Sequence, residues 1–152
     1  MLGRLARLLR AAGHDTALAA PGTPDAILAA ATRREGRTLL TLDRRLAETA
    51  ADCGLRLPED RPEAQARHLS RLRLVDWRLA PFTRCLLDNA PLRDAGAGEI
   101  AALLAPSRDG PGPLRICPAC GRVYWPGSHV RRMSATLDRL AAATSPSSPD
   151  RP

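Results

Sequence analysis

With 152 residues the chain has room for one ordinary core, or for a domain of about 100 residues with a small appendage; a change of texture near residue 79 favours the second. The formal charge is +7 and all 23 basic residues are arginine, which favours a polyanionic partner, because a basic surface displaces counterions from phosphates; the alternative is a solvated surface, since a coding sequence rich in G and C produces the same arginine and alanine enrichment. No apolar run approaches the roughly 20 residues that span a bilayer, and four cysteines at 53, 85, 117 and 120 suit metal ligation with one left over better than two disulfides, so the protein reads as soluble and cytoplasmic.

Leu2, Leu5, Ala6 and Leu9 recur at helical spacing, with Arg4, Arg7 and Arg10 on another flank, which predicts an amphipathic helix from the first residue that Gly13 ends. The arginine-rich start lacks a signal-peptide core and cleavage site. His14–Leu18 is expected as a short strand and Ala19–Thr23 as a loop. Thr23 is the expected N-cap of a second helix, with Pro24 in the first turn, Asp25 at the opening and Ile27, Leu28 and Ala31 facing inward. Gly36 stops it. Arg37–Leu42 has the strongest strand pattern in the chain, and Asp43 stands at its carboxyl end, where ligands bind in open α/β sheets; capping the next helix is the plainer role for Asp43.

Arg44–Ala51 reads as helix, Leu55–Leu57 as a short strand, and the segment after Pro62 as a helix to about Leu72 that contains Gln65 and His68. Helices alternating with short strands argue for βαβ units over a parallel sheet. After Leu79 the segments become irregular: a helix at Ala97–Leu104, a Pro/Gly loop at Pro106–Pro113, a hairpin from Leu114–Ile116 to Arg122–Trp125, and a closing helix from Ser128 to about Ala142 with Met133, Leu137 and Leu140 on one side. The Ser/Pro-rich tail at 143–152 is expected to be disordered.

Cys117-Pro118-Ala119-Cys120-Gly121 turns two sulfurs toward one point, because proline fixes one side of a tight turn and glycine frees the backbone behind the second sulfur. A tetrahedral zinc site needs a second pair of ligands from another such turn. Cys85 begins one, and Asp88 occupies the place of its second cysteine, so Cys85, Asp88, Cys117 and Cys120 form the candidate zinc set; His129 and His68 are alternative fourth donors. A redox role for the pair is disfavoured, because that chemistry places the first cysteine at a helix N-terminus. Tyr124 and Trp125 are candidates for stacking unpaired bases, with Arg122, Arg131 and Arg132 on phosphates and His129 nearby; the alternative is that the rings cover a small module and His129 caps the last helix.

The run from Met1-Leu2-Gly3-Arg4-Leu5 through Thr16, then Asp25, Leu39-Leu40-Thr41-Leu42-Asp43, Gln65, Arg84-Cys85, Asn89 and the closing Cys117-Pro118-Ala119-Cys120-Gly121 with Tyr124-Trp125-Pro126-Gly127-Ser128-His129, resembles the Mut7-C RNase family over about residues 1 to 140. The resemblance implies a PIN-like three-layer α/β domain at 1–78 without the usual first strand, a zinc-ribbon-like module at 79–142, and a metal-dependent ribonuclease. In the family an aspartate closes a first strand just ahead of the position matching Met1. The acidic positions carried over here are Asp25 and Asp43, which would hold Mg²⁺ or Mn²⁺ to activate water. Glu48 is a weaker helper, and Asp15 is expected to end a turn. The alternative function is an RNA-binding protein that relies on its arginines and the ribbon.

Overall fold

The computed structural model describes residues 2–58, 61–103 and 113–143. Helix α1 (Gly3–Ala11) buries Leu5, Ala6, Leu9 and Ala11 and leaves Arg4 and Arg7 exposed. Arg10 departs from the expected solvated flank: it is 4% exposed. Its Nε donates to the Thr16 carbonyl (2.8 Å) and its Nη1 to those of Leu86 (3.1 Å) and Leu87 (2.6 Å). Gly13 takes φ 100° and ends the helix. The predicted strand at 14–18 does not form. Side chains take up its backbone groups instead, since Thr16 N–H donates to Asn89 Oδ1 (2.9 Å) and its carbonyl is held by Arg10.

Helix α2 (Asp25–Arg34) has Pro24 at its cap position. Thr23 does not cap it; its hydroxyl donates backward to the Ala20 carbonyl. Ala29 and Thr32 are buried and Leu28 and Ala31 half-buried, whereas Ile27 is 60% exposed, contrary to its expected facing. This helix packs against α3 (Arg44–Ala50). Strand β1 (Leu39–Thr41) pairs in parallel with β2 (Gly54–Arg56), Leu40 opposite Leu55, with α3 and the 3₁₀ turn Ala51–Cys53 as the crossover. This is the expected βαβ unit in minimal form.

Helix α4 (Pro62–Arg71) opens on proline in its first turn. It buries Gln65, Ala66, Leu69 and Ser70, and Ser70 Oγ accepts from Nε1 of the fully buried Trp77 (2.7 Å). A second, antiparallel sheet has the order β3 (Arg93–Asp94), β4 (Arg115–Ile116), β5 (Val123–Tyr124). The β4–β5 hairpin was expected; β3, two residues long and without alternation, was not. Helices α5 (Ala97–Leu103) and α6 (Ser128–Ala142) complete the described chain. Leu137 and Leu140 of α6 are buried and Met133 is half-buried. The expected Pro/Gly loop and tail lie outside the described residues except at Pro113 and Ala143. One buried cluster joins Leu5 and Leu9 to Leu57, Leu69 and Trp77, and onward to Cys85, Tyr124, Leu137 and Leu140. Among the described residues no helix is long and apolar enough to cross a membrane.

Candidate functional site

Two turns with the same backbone pattern face each other. In the first, Cys85 N–H donates to the Ala90 carbonyl (2.8 Å) and Asn89 N–H returns to the Cys85 carbonyl (3.0 Å). In the second, Cys117 N–H donates to the Arg122 carbonyl (2.9 Å) and Gly121 N–H returns to the Cys117 carbonyl (2.9 Å). The residue after each second ligand position adopts positive φ, 66° at Asn89 and 69° at Gly121. Asparagine tolerates that region better than most side chains, so Cys85-Leu86-Leu87-Asp88-Asn89 repeats Cys117-Pro118-Ala119-Cys120-Gly121 with aspartate in place of a cysteine.

The repetition brings one ligand atom each from Cys85, Asp88, Cys117 and Cys120 within 4.8 Å of one another. Asp88 Oδ2 is 3.5 Å from both Cys85 Sγ and Cys117 Sγ, and Cys85 Sγ is 3.8 Å from Cys120 Sγ. A tetrahedron with Zn–S near 2.3 Å and Zn–O near 2.1 Å requires about 3.8 Å between sulfurs and about 3.6 Å between sulfur and oxygen. The donor set therefore fits zinc in type and number, and these three separations match such a tetrahedron. Neither His68 nor His129 belongs to the group.

The electrostatics follow from these contacts. The Cys120 thiol is pushed up to about 12, chiefly by its hydrogen bond to Asp88, whose own carboxyl is held below its usual range first by that same bond. Burial works against ionising Cys85, yet hydrogen bonds from the Tyr124 hydroxyl and from the backbone at Asp88 and Leu87 outweigh it and lower its thiol. Tyr124 is raised by burial first and then by Cys85.

Tyr124 is the clearest correction among the expected RNA contacts. It is 9% exposed, lies in the core cluster, and its hydroxyl accepts Leu86 N–H (3.0 Å) and sits 3.1 Å from Cys85 Sγ. The ring is thus packed inside, where it cannot stack on a base. Trp125 is 38% exposed beside Gly127. Arg122, Arg132 and His129 are exposed, and Arg131 donates to the Pro126 carbonyl.

Asp25 is the exposed first residue of α2, and its side chain makes no hydrogen bond or ion pair among the described residues. Asp43 caps α3: its Oδ1 accepts from Arg45 N–H (2.7 Å) and Leu46 N–H (3.2 Å). Glu48 is paired with Arg44 (2.8 Å). Among the described residues neither aspartate joins a group of three or more metal-ligating side chains. Asp15, expected only to end a turn, is instead a junction: Asn89 Nδ2 (2.5 Å) and Arg37 Nη2 (2.9 Å) donate to it. Residues 74 and 22 positions away supply these bonds, so no local pattern announces them.

A family model, the Mut7-C RNAse domain, matches residues 1–137. The chain belongs to the Mut7-C RNAse family. Neither the curated proteins nor the solved structures contain a match. Both cysteine turns, Asp25, Asp43 and the first two thirds of α6 fall inside the Mut7-C match, and the family's description points to a nuclease or RNA-related role.

Proposed function

We propose that this Mut7-C protein is a metal-dependent ribonuclease that hydrolyses RNA phosphodiester bonds, built as a PIN-like α/β domain carrying a zinc-ribbon-like module. The family match across both parts of the chain carries the reading. Asp43 supports it, standing at the carboxyl end of β1 in a βαβ unit, the edge at which α/β folds bind ligands. Its Oδ2 makes no hydrogen bond among the described residues, so a carboxylate oxygen remains for a cation while Oδ1 fixes the side chain to α3. Asp25 offers a second unengaged carboxylate. A bound Mg²⁺ or Mn²⁺ at such positions supplies an activated water and stabilises the leaving oxygen.

Cys85, Asp88, Cys117 and Cys120 would hold structural zinc, with thiol protons released as the cysteines become thiolate ligands. The expected zinc content is one per chain, and metal analysis of Cys117→Ser should show it lost; unchanged zinc would remove the set. Cleavage is tested on labelled RNA with Mg²⁺ or Mn²⁺. Asp43→Asn keeps a capping oxygen, because asparagine caps as well as aspartate, and takes away the charge. Its cleavage should fall at least about 100-fold, the scale of one essential catalytic group, and retained cleavage would overturn the assignment. The second reading, RNA binding without catalysis, draws on the capping role of Asp43 and the lack of a carboxylate cluster among the described residues; it predicts binding with no cleavage in either metal.

A further inference from the structure

Helix α1 and the first cysteine turn enclose an open groove of about 370 Å³. Arg4, Arg7 and Arg10 line it together with Leu18, Leu86 and Leu87, and among the described residues no acidic side chain belongs to the lining. Arg33, Arg37, Arg44, Arg78 and Arg93 each stand opposite a carboxylate. Arg4 and Arg7 do not: both are exposed, and their side chains make no hydrogen bond or ion pair among the described residues. Arg10 lies deeper, with Nε and Nη1 holding three carbonyls and Nη2 making no hydrogen bond among the described residues. Leu18 is 54% exposed and Leu87 39% exposed. The groove therefore sets two arginines without a carboxylate partner, Arg4 and Arg7, beside exposed leucines, while Arg10 beneath them already feels Asp88 and Asp15.

We propose that this groove binds a single strand of RNA, with Arg4 and Arg7 on neighbouring phosphates and the leucines against ribose or base. The assignment rests on the RNA reading above but not on cleavage. Residues three apart on a helix are neighbours with about 5–6 Å between their Cβ atoms, on the scale of adjacent phosphates in an extended strand. The leucine side chains offer no hydrogen-bonding groups, so base identity is not read there and binding is tolerant of sequence. An acidic peptide fits less well. The Leu86 and Leu87 carbonyls that would pair with a peptide backbone are already taken by Arg10. Because those leucines sit between Cys85 and Asp88, the groove wall is also part of the metal turn.

The test is fluorescence anisotropy of a labelled mixed-sequence oligoribonucleotide with the zinc-loaded full chain, without Mg²⁺ or Mn²⁺, across a salt series. Arg4→Ala/Arg7→Ala should flatten the slope of log affinity against log salt by about 1.4, roughly 0.7 for each phosphate of a single strand that is no longer neutralised. Arg4→Lys/Arg7→Lys should keep most of the slope. Arg34→Ala/Arg44→Ala removes the same charge from arginines paired with Glu35 and Glu48 and should leave it nearly unchanged. An unaltered slope in the groove variant, or equal flattening in the paired-arginine control, would overturn the proposal, as would displacement by polyglutamate more readily than by unlabelled RNA. Absence of cleavage by the wild type would sink the nuclease reading alone, because this measurement needs none.

Discussion

Tyr124 carries a ring that a single-strand binder would use for stacking, but its position against the first cysteine turn gives it a different task. Its hydroxyl satisfies Leu86 N–H and touches the sulfur of Cys85. Tyr124→Phe keeps the apolar packing and leaves a buried N–H without its acceptor, so the zinc-loaded protein should lose about 1–3 kcal/mol in urea unfolding; an unchanged midpoint would show that the hydroxyl contributes nothing. Asp15 offers a pH-dependent counterpart. Hydrogen bonds from Arg37 and then Asn89 hold its carboxyl below the usual value, so its contribution is present above about pH 4, the ordinary aspartate range, and is lost as pH falls through the depressed value. The side chain is 44% exposed, so screening limits the effect to the surface-pair range of about 0–1 kcal/mol. The stability gap between wild type and Asp15→Asn should close as pH drops from about 5 toward 2, and a constant gap would exclude Asp15 as the titrating group.

Elements were legible where one periodic face decides them. The leucines of α1, the compact run at β1 and the Cys-Pro-Ala-Cys-Gly hairpin turn all state their structure locally. The four candidate zinc ligands were also legible, because the turn spacing repeats even with Asp88 in a cysteine's place. What was not legible depends on partners distant in sequence. Arg10 looks like one more solvated arginine until the Leu86 and Leu87 carbonyls arrive beside it, and Thr16 resembles a strand residue until Asn89 takes its N–H. The outward facing of Ile27 on α2 has a related reason, since which residues that helix buries depends on its packing against α3. Gly13 shows both kinds of information in one residue. Its role as helix terminator is readable, but its intolerance of substitution comes from Ala80, whose carbonyl oxygen would overlap an added Cβ. At φ 100° alanine is strained as well. Gly13→Ala should therefore cost at least about 1–3 kcal/mol, read as a lowered thermal midpoint, whereas Gly22→Ala, also at positive φ but with open space around it, should carry only the backbone part of that cost.

At the scale of the whole chain, the texture change near residue 79 and the buried cluster describe different things. The cluster runs from Leu5 and Leu9 through Trp77 to Cys85, Tyr124 and Leu140. The carbonyls of Ala11 and Ala12 at the end of α1 are met by the N–H groups of Phe82 and Ala80. Arg10 then ties that helix to the turn between Cys85 and Asp88. Metal held by this turn should consequently stabilise α1 and the Trp77 region as well as the small sheet. Free zinc at about a thousandfold over its Kd contributes about 4 kcal/mol, on the order of 10 °C for a chain of this size. Trp77 reports on the shared core because it is 1% exposed, and replacing Trp125 with phenylalanine leaves it as the single tryptophan. In that background, stripping zinc with a chelator should lower the Trp77-reported melting midpoint by that amount in one transition. If the Trp77 midpoint stayed fixed while the 85–124 region lost protection from hydrogen exchange, that region would be melting independently of the core around Trp77, and the coupling through Arg10 would carry no stability.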